Sequence, residues 1–260
     1  MPYSALKLQI SGDIAMITLN RPEKRNAIST EMINDLMAAF AEIETSAARV
    51  AILTGAGKAF CSGMDLAALK EIAIQSQEEN LEDARRFARL LRRIWSFPKP
   101  TIAAVNGAAI AGGCGIATVC DFTVTVPEAT FGYPEVRIGF LPANVAVFLM
   151  RQIDEKHALD LLLTGRIVDA AEAQRMGLVT QIAPIAELIP TVQKLAATLI
   201  SCSPTSLQKT KKLLCDMMAP EVDRELELAI WESAQIRSTA DFREGLASFL
   251  EKRTPKWIGK

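Results

Sequence analysis

The chain opens on an alternation. Leu6, Leu8 and Ile10 are separated by polar residues, the period of a half-buried strand. Ser11-Gly12-Asp13 supplies a turn, and the run IAMITLN that follows is its hairpin partner, closed by Arg21-Pro22. Ile33, Leu36, Met37 and Phe40 then recur at helical spacing behind Ser29, a residue suited to cap a helix. RVAILTG is a short β-rich run stopped by Gly55 and Gly57. Leu81, Ala84, Ala88, Leu91 and Trp95 share one face of a helix predicted over 80–95, with arginines on its solvated faces. QSQEEN at 75–80 reads as a polar loop, and Thr101 to Val105 as a buried strand.

Farther on, DFTVTV predicts a strand, 144–153 and 155–163 predict helices, and LVTQIA predicts another strand. Asp169 with Glu172 forms a capping-box pattern, and Gly177 is a helix stop. From about Pro184 onward no strand pattern appears. That tail reads as helices with breaks near Pro204 and Pro220. Strands alternating with helices, then a helical tail, point to α/β layering.

Composition narrows the functions available. The 260 residues, half of them hydrophobic, suit one large domain, or one domain with a small appendage. Lys plus Arg is 29 and Asp plus Glu is 30, a net charge of -1, so no global positive field exists to hold nucleic acid or an anionic membrane. The five cysteines (61, 114, 120, 202 and 215) form no CxxC pair, and His157 is the only histidine. This argues against a zinc site and a disulfide framework, and free thiols suit a reducing cytosol. The N-terminus lacks the charged-then-apolar pattern of a secretory signal. The most apolar window, 101–120, holds Asn106 and four glycines, which fits a buried strand and helix better than a membrane span. The expectation is a cytoplasmic protein with no metal, no nucleic-acid partner and no membrane partner.

Familiar catalytic templates fail. TGAGKAF lacks the first glycine of a phosphate loop, since residue 52 is isoleucine. No GxGxxG opens a helix and no GxSxG exists. His157 sits inside a helical pattern, which disfavours a Ser-His-Asp triad.

What remains is backbone chemistry. In AIAGGCGIATVCD, from Ala109 to Asp121, three glycines crowd the place where a helix should begin, at roughly 1 kcal/mol each against alanine. Glycines there let a ligand approach the unpaired amides of a helix N-terminus. Such donors suit an oxyanion, each worth roughly 3 kcal/mol in a transition state. AFCSGMDL is a second glycine-containing turn after a strand. Taken singly, each turn is equally well read as a tight strand-to-helix connection. For proton transfer, FGYPEVRIGFLPAN offers Glu135, expected between two apolar strands where its pKa is raised; the competing reading is an edge-strand glutamate in solvent.

Six stretches in order resemble the enoyl-CoA hydratase/isomerase, or crotonase, family: LNRPEKRNAIS, AFCSGMDL, KPTIAAVNGAAIAGGCGIATVCD, FGYPEVRIGFLP, LLLTGRIVDAAEAQRMGLV and FLEKRTPKW. The resemblance implies a spiral of repeated β-β-α units over 1–195 and a helical trimerisation region over 196–260. It implies an acyl-CoA thioester substrate, no cofactor beyond the coenzyme A of that substrate, and a homotrimer or a hexamer of paired trimers. By matched position, the amides of Met64 and Gly112 form the oxyanion hole, and Met64 replaces a smaller residue, narrowing the acyl pocket. Lys24, Arg25, Ala27, Asp65 and Leu66 match coenzyme A contacts. Phe249 and Lys252 match positions that reach a neighbouring subunit's nucleotide.

One departure stands out. Many hydratases of the family carry a glutamate where this chain has Gly115, leaving Glu135 alone. Asn144 and Tyr133 are candidate helpers, each also readable as structural. A double-bond isomerase needs only one base, so chemistry alone favours isomerase. SQEENLEDARRFARLL, GGCG and EVRIGFLP look instead like the bacterial methylglutaconyl-CoA hydratase branch, and hydratase is the reading adopted. A non-catalytic acyl-CoA-binding member is the third possibility. Arg137 is a candidate partner for a second substrate carboxylate, or a surface ion-pair residue. Cys61 and Cys114 are taken as packing residues.

Overall fold

A computed structural model describes residues 3–65, 69, 71, 72 and 74–259. Its strands and helices alternate as β1 (Leu6–Ser11), β2 (Ile14–Leu19), α1 (Thr30–Thr45), β3 (Val50–Gly55), β4 (Ala59–Cys61) and α2 (Gln77–Trp95). The middle of the chain gives β5 (Thr101–Val105), β6 (Ala108–Ile110), α3 (Gly112–Thr118), β7 (Phe122–Thr125) and β8 (Thr130–Gly132). A 3-10 turn over Pro134–Ile138 leads to α4 (Ala143–Gln152), α5 (Glu155–Thr164), β9 (Ile167–Asp169), α6 (Ala170–Arg175) and β10 (Gln181–Ile182). Helices α7 (Leu188–Ser201), α8 (Pro204–Ile236) and α9 (Ala240–Glu251) complete the chain.

The strands build two sheets, ordered β1-β2-β3-β5-β7-β10 and β4-β6-β8-β9. Consecutive pairs divide between them: β3, β5 and β7 enter the first sheet, while β4, β6 and β8 enter the second. Each pair therefore turns a corner and is followed by helical chain, the β-β-α spiral expected from the sequence. Within both sheets these neighbours are parallel; the β1–β2 hairpin and the β8–β9 pair are antiparallel. Strands β3 and β5 are buried nearly throughout, as expected of parallel strands covered on both faces.

Several local expectations hold with their physical cause visible. Ser29 caps α1 by accepting from the Met32 amide. Leu91, Ala84, Ala88 and Trp95 of α2 are buried. Asp169 caps α6 by accepting from the Glu172 amide, although the Glu172 carboxylate turns to Arg166 instead of completing the box.

Others are corrected. The segment 75–80 is not a loop: Ser76 and Glu79 form a reciprocal capping box, and α2 begins at Gln77. Pro220 does not break the tail, since α8 runs unbroken past it. Pro220 is exposed, and tertiary ion pairs hold the helix just beyond it, Arg92 to Asp223 at 2.6 Å and Arg151 to Glu225 at 2.8 Å. The strand predicted from LVTQIA is only two residues long. Among the described residues no single helix is long and apolar enough to cross a membrane.

Candidate active site

The two glycine turns meet at the ends of neighbouring strands, since β4 and β6 pair in parallel. A Cβ at Gly113 would collide with the Cys61 carbonyl, and one at Gly63 would lie 2.9 Å from Ala111 Cβ. Glycine is required for this approach. Between the turns, Ala111 has φ 53 and ψ −127, a conformation costing a non-glycine residue on the order of 1–3 kcal/mol. Its amide donates to the Gly132 carbonyl at 2.8 Å, which holds the strained corner in place.

This geometry leaves two backbone donors without acceptors. In the first turn Ile28 donates to Gly63 O at 2.7 Å and Asp65 donates to Ile28 O at 3.0 Å. Met64 lies between those two bonds in a parallel bridge with Ile28, so its own N–H points to the opposite side. In the second turn Gly112 is the first residue of α3, where an amide has no intrahelical acceptor. Among the described residues neither amide has a backbone partner. A Cβ at Gly112 would lie 2.9 Å from Phe87 Cζ and 3.0 Å from Ile28 Cδ1, which marks an apolar wall beside these donors.

Glu135 is not on a strand. It sits in the 3-10 turn after β8, started by Pro134, and is 8% exposed. Its Oε2 is buried with no hydrogen-bond partner, and burial pushes its pKa up to about 8 against the weaker pull of its own backbone amide. Its charge acts on Cys114 of α3, the helix that Gly112 begins. Cys114 and Cys61 are fully buried and their thiols are pushed up to about 12, the state of packing residues rather than nucleophiles.

The position of the missing second carboxylate is physically closed. A Cβ on Gly115 would run into Val145 Cγ1 of α4. Asn144, the preceding residue, is buried, with Nδ2 donating to the Ala84 carbonyl at 3.0 Å and Oδ1 unpartnered. The Tyr133 hydroxyl is spent on Thr118 Oγ1 at 2.6 Å, which makes it structural. Arg137 is exposed and its Nε donates to the Thr164 carbonyl at 3.2 Å.

The loop before α1 gathers the predicted coenzyme A residues. Asp65 is 7% exposed and pairs with Arg21 at 2.8 Å and with Lys24 at 3.4 Å. Arg21 also donates to the Ala27 carbonyl at 2.6 Å. Asn26, fully buried, accepts from the Arg21 amide and donates to the carbonyls of Ala56 and Ala59, locking the loop to the β3–β4 corner. That bracing leaves Lys24 and Arg25 exposed at the rim. Sequence reasoning missed Arg21 and Asn26; the signal was their place inside the LNRPEKRNAIS stretch. Leu66 lies outside the described residues. Phe249 and Lys252 sit at the exposed end of α9. Upstream in that helix, Phe242 and Leu246 pack with Met64 and Phe140, so the chain's own C-terminal helix walls the site. Among the described residues no three His, Cys, Asp or Glu side chains gather as they would around a metal ion.

The chain is similar to known proteins over nearly its whole length. The family model described as enoyl-CoA hydratase/isomerase matches residues 9–260. A Thermus thermophilus protein provisionally named an enoyl-CoA hydratase is 44% identical over 247 residues, covering 95% of this chain and 98% of that protein. The crotonyl-CoA hydratase of Syntrophomonas wolfei is 32% identical, covering 100% of both chains. The crystal structure of an enoyl-CoA hydratase from Mycobacterium avium superposes with a TM-score of 0.88 at 32% identity, covering 98% of this chain and 99% of that one.

Proposed function

The chain belongs to the enoyl-CoA hydratase/isomerase family, and on that footing we propose that it is an enoyl-CoA hydratase that adds water reversibly to a 2-enoyl-CoA thioester with Glu135 as acid and base. The observation that carries this reading is the buried Glu135 carboxylate, with Oε2 unpartnered, acting on a helix whose first amide has no backbone partner.

The Met64 and Gly112 amides receive the thioester oxygen. Water attacks C3, the C2–C3 π electrons move onto the thioester as an enolate, and the two donors hold that charge. Glu135 takes the water's proton and returns it to C2, so one carboxylate performs both transfers and the product contains one added water. A pKa near 8 suits both halves of that cycle. Lys24, Arg25, Ala27, Asp65 and Leu66 hold the coenzyme A moiety. Phe249 and Lys252 serve a neighbouring subunit's nucleotide in a trimer or hexamer. The exposed Leu213, Leu214, Met217, Leu228 and Trp231 of α8 support assembly through the region 196–260.

The test is crotonyl-CoA in heavy-oxygen water with products read by mass spectrometry, alongside the Glu135→Gln variant. A labelled 3-hydroxyacyl-CoA from the native enzyme alone supports the reading. One observation favours a second reading: with Val145 filling the space at Gly115, a single base remains, which is all a double-bond isomerase needs. Conversion of a 3-enoyl-CoA to the 2-enoyl isomer without oxygen uptake would select it. Tight acyl-CoA binding with no turnover would leave a non-catalytic binding protein.

A further inference from the structure

An attacking water needs acceptors for its protons so that a lone pair is aimed at C3. Glu135 supplies one. A second buried acceptor without a donor belongs to α4. Asn144 is 7% exposed, and its Oδ1 has no partner. Its orientation is not free to flip, because Nδ2 must face the Ala84 carbonyl, an acceptor 3.0 Å away. Ala84 lies one turn before Phe87, whose ring faces Gly112. Val145, the next residue, abuts Gly115, and Cys114 of the same short helix feels Glu135. Val145 thus seats α4 against α3 one residue after Asn144, and Glu135 acts on the same short helix from the 3-10 turn. Buried acceptors are rarely left dry, and a polar site between two of them suits one water.

Building on the hydratase reading, we propose that the Asn144 carboxamide oxygen is the second acceptor that holds the attacking water against Glu135. It takes over the task of a carboxylate that Val145 excludes from position 115. The water donates one O–H to Asn144 and the other to Glu135. Its oxygen bonds to C3 as the C2–C3 π bond opens, and the proton given to Glu135 returns to C2. Asn144 keeps its protons throughout, so it is a positioning residue.

The test separates water addition from proton abstraction. Hydration of crotonyl-CoA needs the held water. Exchange of the C2 proton of butyryl-CoA in deuterium oxide needs Glu135 and the two amides but no attacking water. Asn144→Leu, which keeps volume without an acceptor, is expected to lower hydration kcat at least about tenfold. It should leave C2 exchange within about twofold and KM little changed. Asn144→Asp, which keeps acceptors, is expected to retain more hydration than Asn144→Leu and to alter its pH profile. Unchanged hydration, or equal loss of hydration and exchange in both variants, would overturn the role of Asn144. A native enzyme that exchanges the C2 proton yet hydrates no 2-enoyl-CoA would overturn the hydratase reading itself.

Discussion

Two carboxylates flank the free amides with almost the same burial and opposite surroundings. Asp65 is 7% exposed and Glu135 is 8% exposed. Asp65, one residue after Met64, meets two cations from the loop before α1. Glu135 meets none among the described residues, and burial raises its pKa to about 8. The first arrangement stabilises charge and organises a loop. The second stores a proton near neutral pH and costs stability to keep. Burial alone therefore does not mark a reactive group; what marks it is burial without a partner.

The largest test of that contrast is removal of the unpaired carboxylate. Glu135→Gln is expected to lower kcat about a thousandfold while coenzyme A still binds. It should also stabilise the fold. Glu135 has a folded pKa of about 8 against an ordinary value of 4.5, so between those pH values the unfolded chain releases a proton that the native state retains. Native stability falls as pH rises through that window and levels off above about 8, a loss on the order of 3 kcal/mol by pH 7. Urea titrations should show this slope in the native enzyme and not in Glu135→Gln.

The same proton governs rate. With Glu135 required as a base, kcat/KM is expected to rise about tenfold per pH unit below 8 and to level off above it. A profile flat from pH 6 to 9, read by the disappearance of the enoyl thioester absorbance, would mean that Glu135 is not the base. Breaking the other carboxylate should act on structure. Asp65→Ala strands Arg21 and Lys24 and is expected to cost about 2 kcal/mol and to raise KM for the thioester, with the pH profile in place. Lys24→Ala, whose half-exposed ammonium lies 3.4 Å from Asp65, should change stability by less than about 0.5 kcal/mol and raise KM a few fold.

Local patterns carried much of this protein in the sequence itself. The β1–β2 hairpin, the Ser29 cap, the apolar face of α2 and the buried β3 and β5 follow from period and turn chemistry, because those preferences act over a few residues. The three glycines before α3 announced a close approach, and the six motifs in order announced the family. What a linear reading could not supply was the partner across space. Glu135 was expected between strands and sits in a 3-10 turn, because Pro134 starts that turn and α9 packs over it at Gly139 and Gly245. Pro220 was expected to break a helix that α2 and α4 hold intact. Arg137 could be read as a substrate partner or a surface ion-pair residue, and the fold adds only that it is exposed with its Nε on the Thr164 carbonyl. Likewise, the sequence shows that position 115 is glycine, but only packing shows that Val145 fills the space beside it and leaves the adjacent Asn144 acceptor unpaired. Propensity, capping and periodicity are properties of neighbouring residues; whether a buried polar atom has a partner depends on residues tens of positions away, which only the tertiary structure brings together.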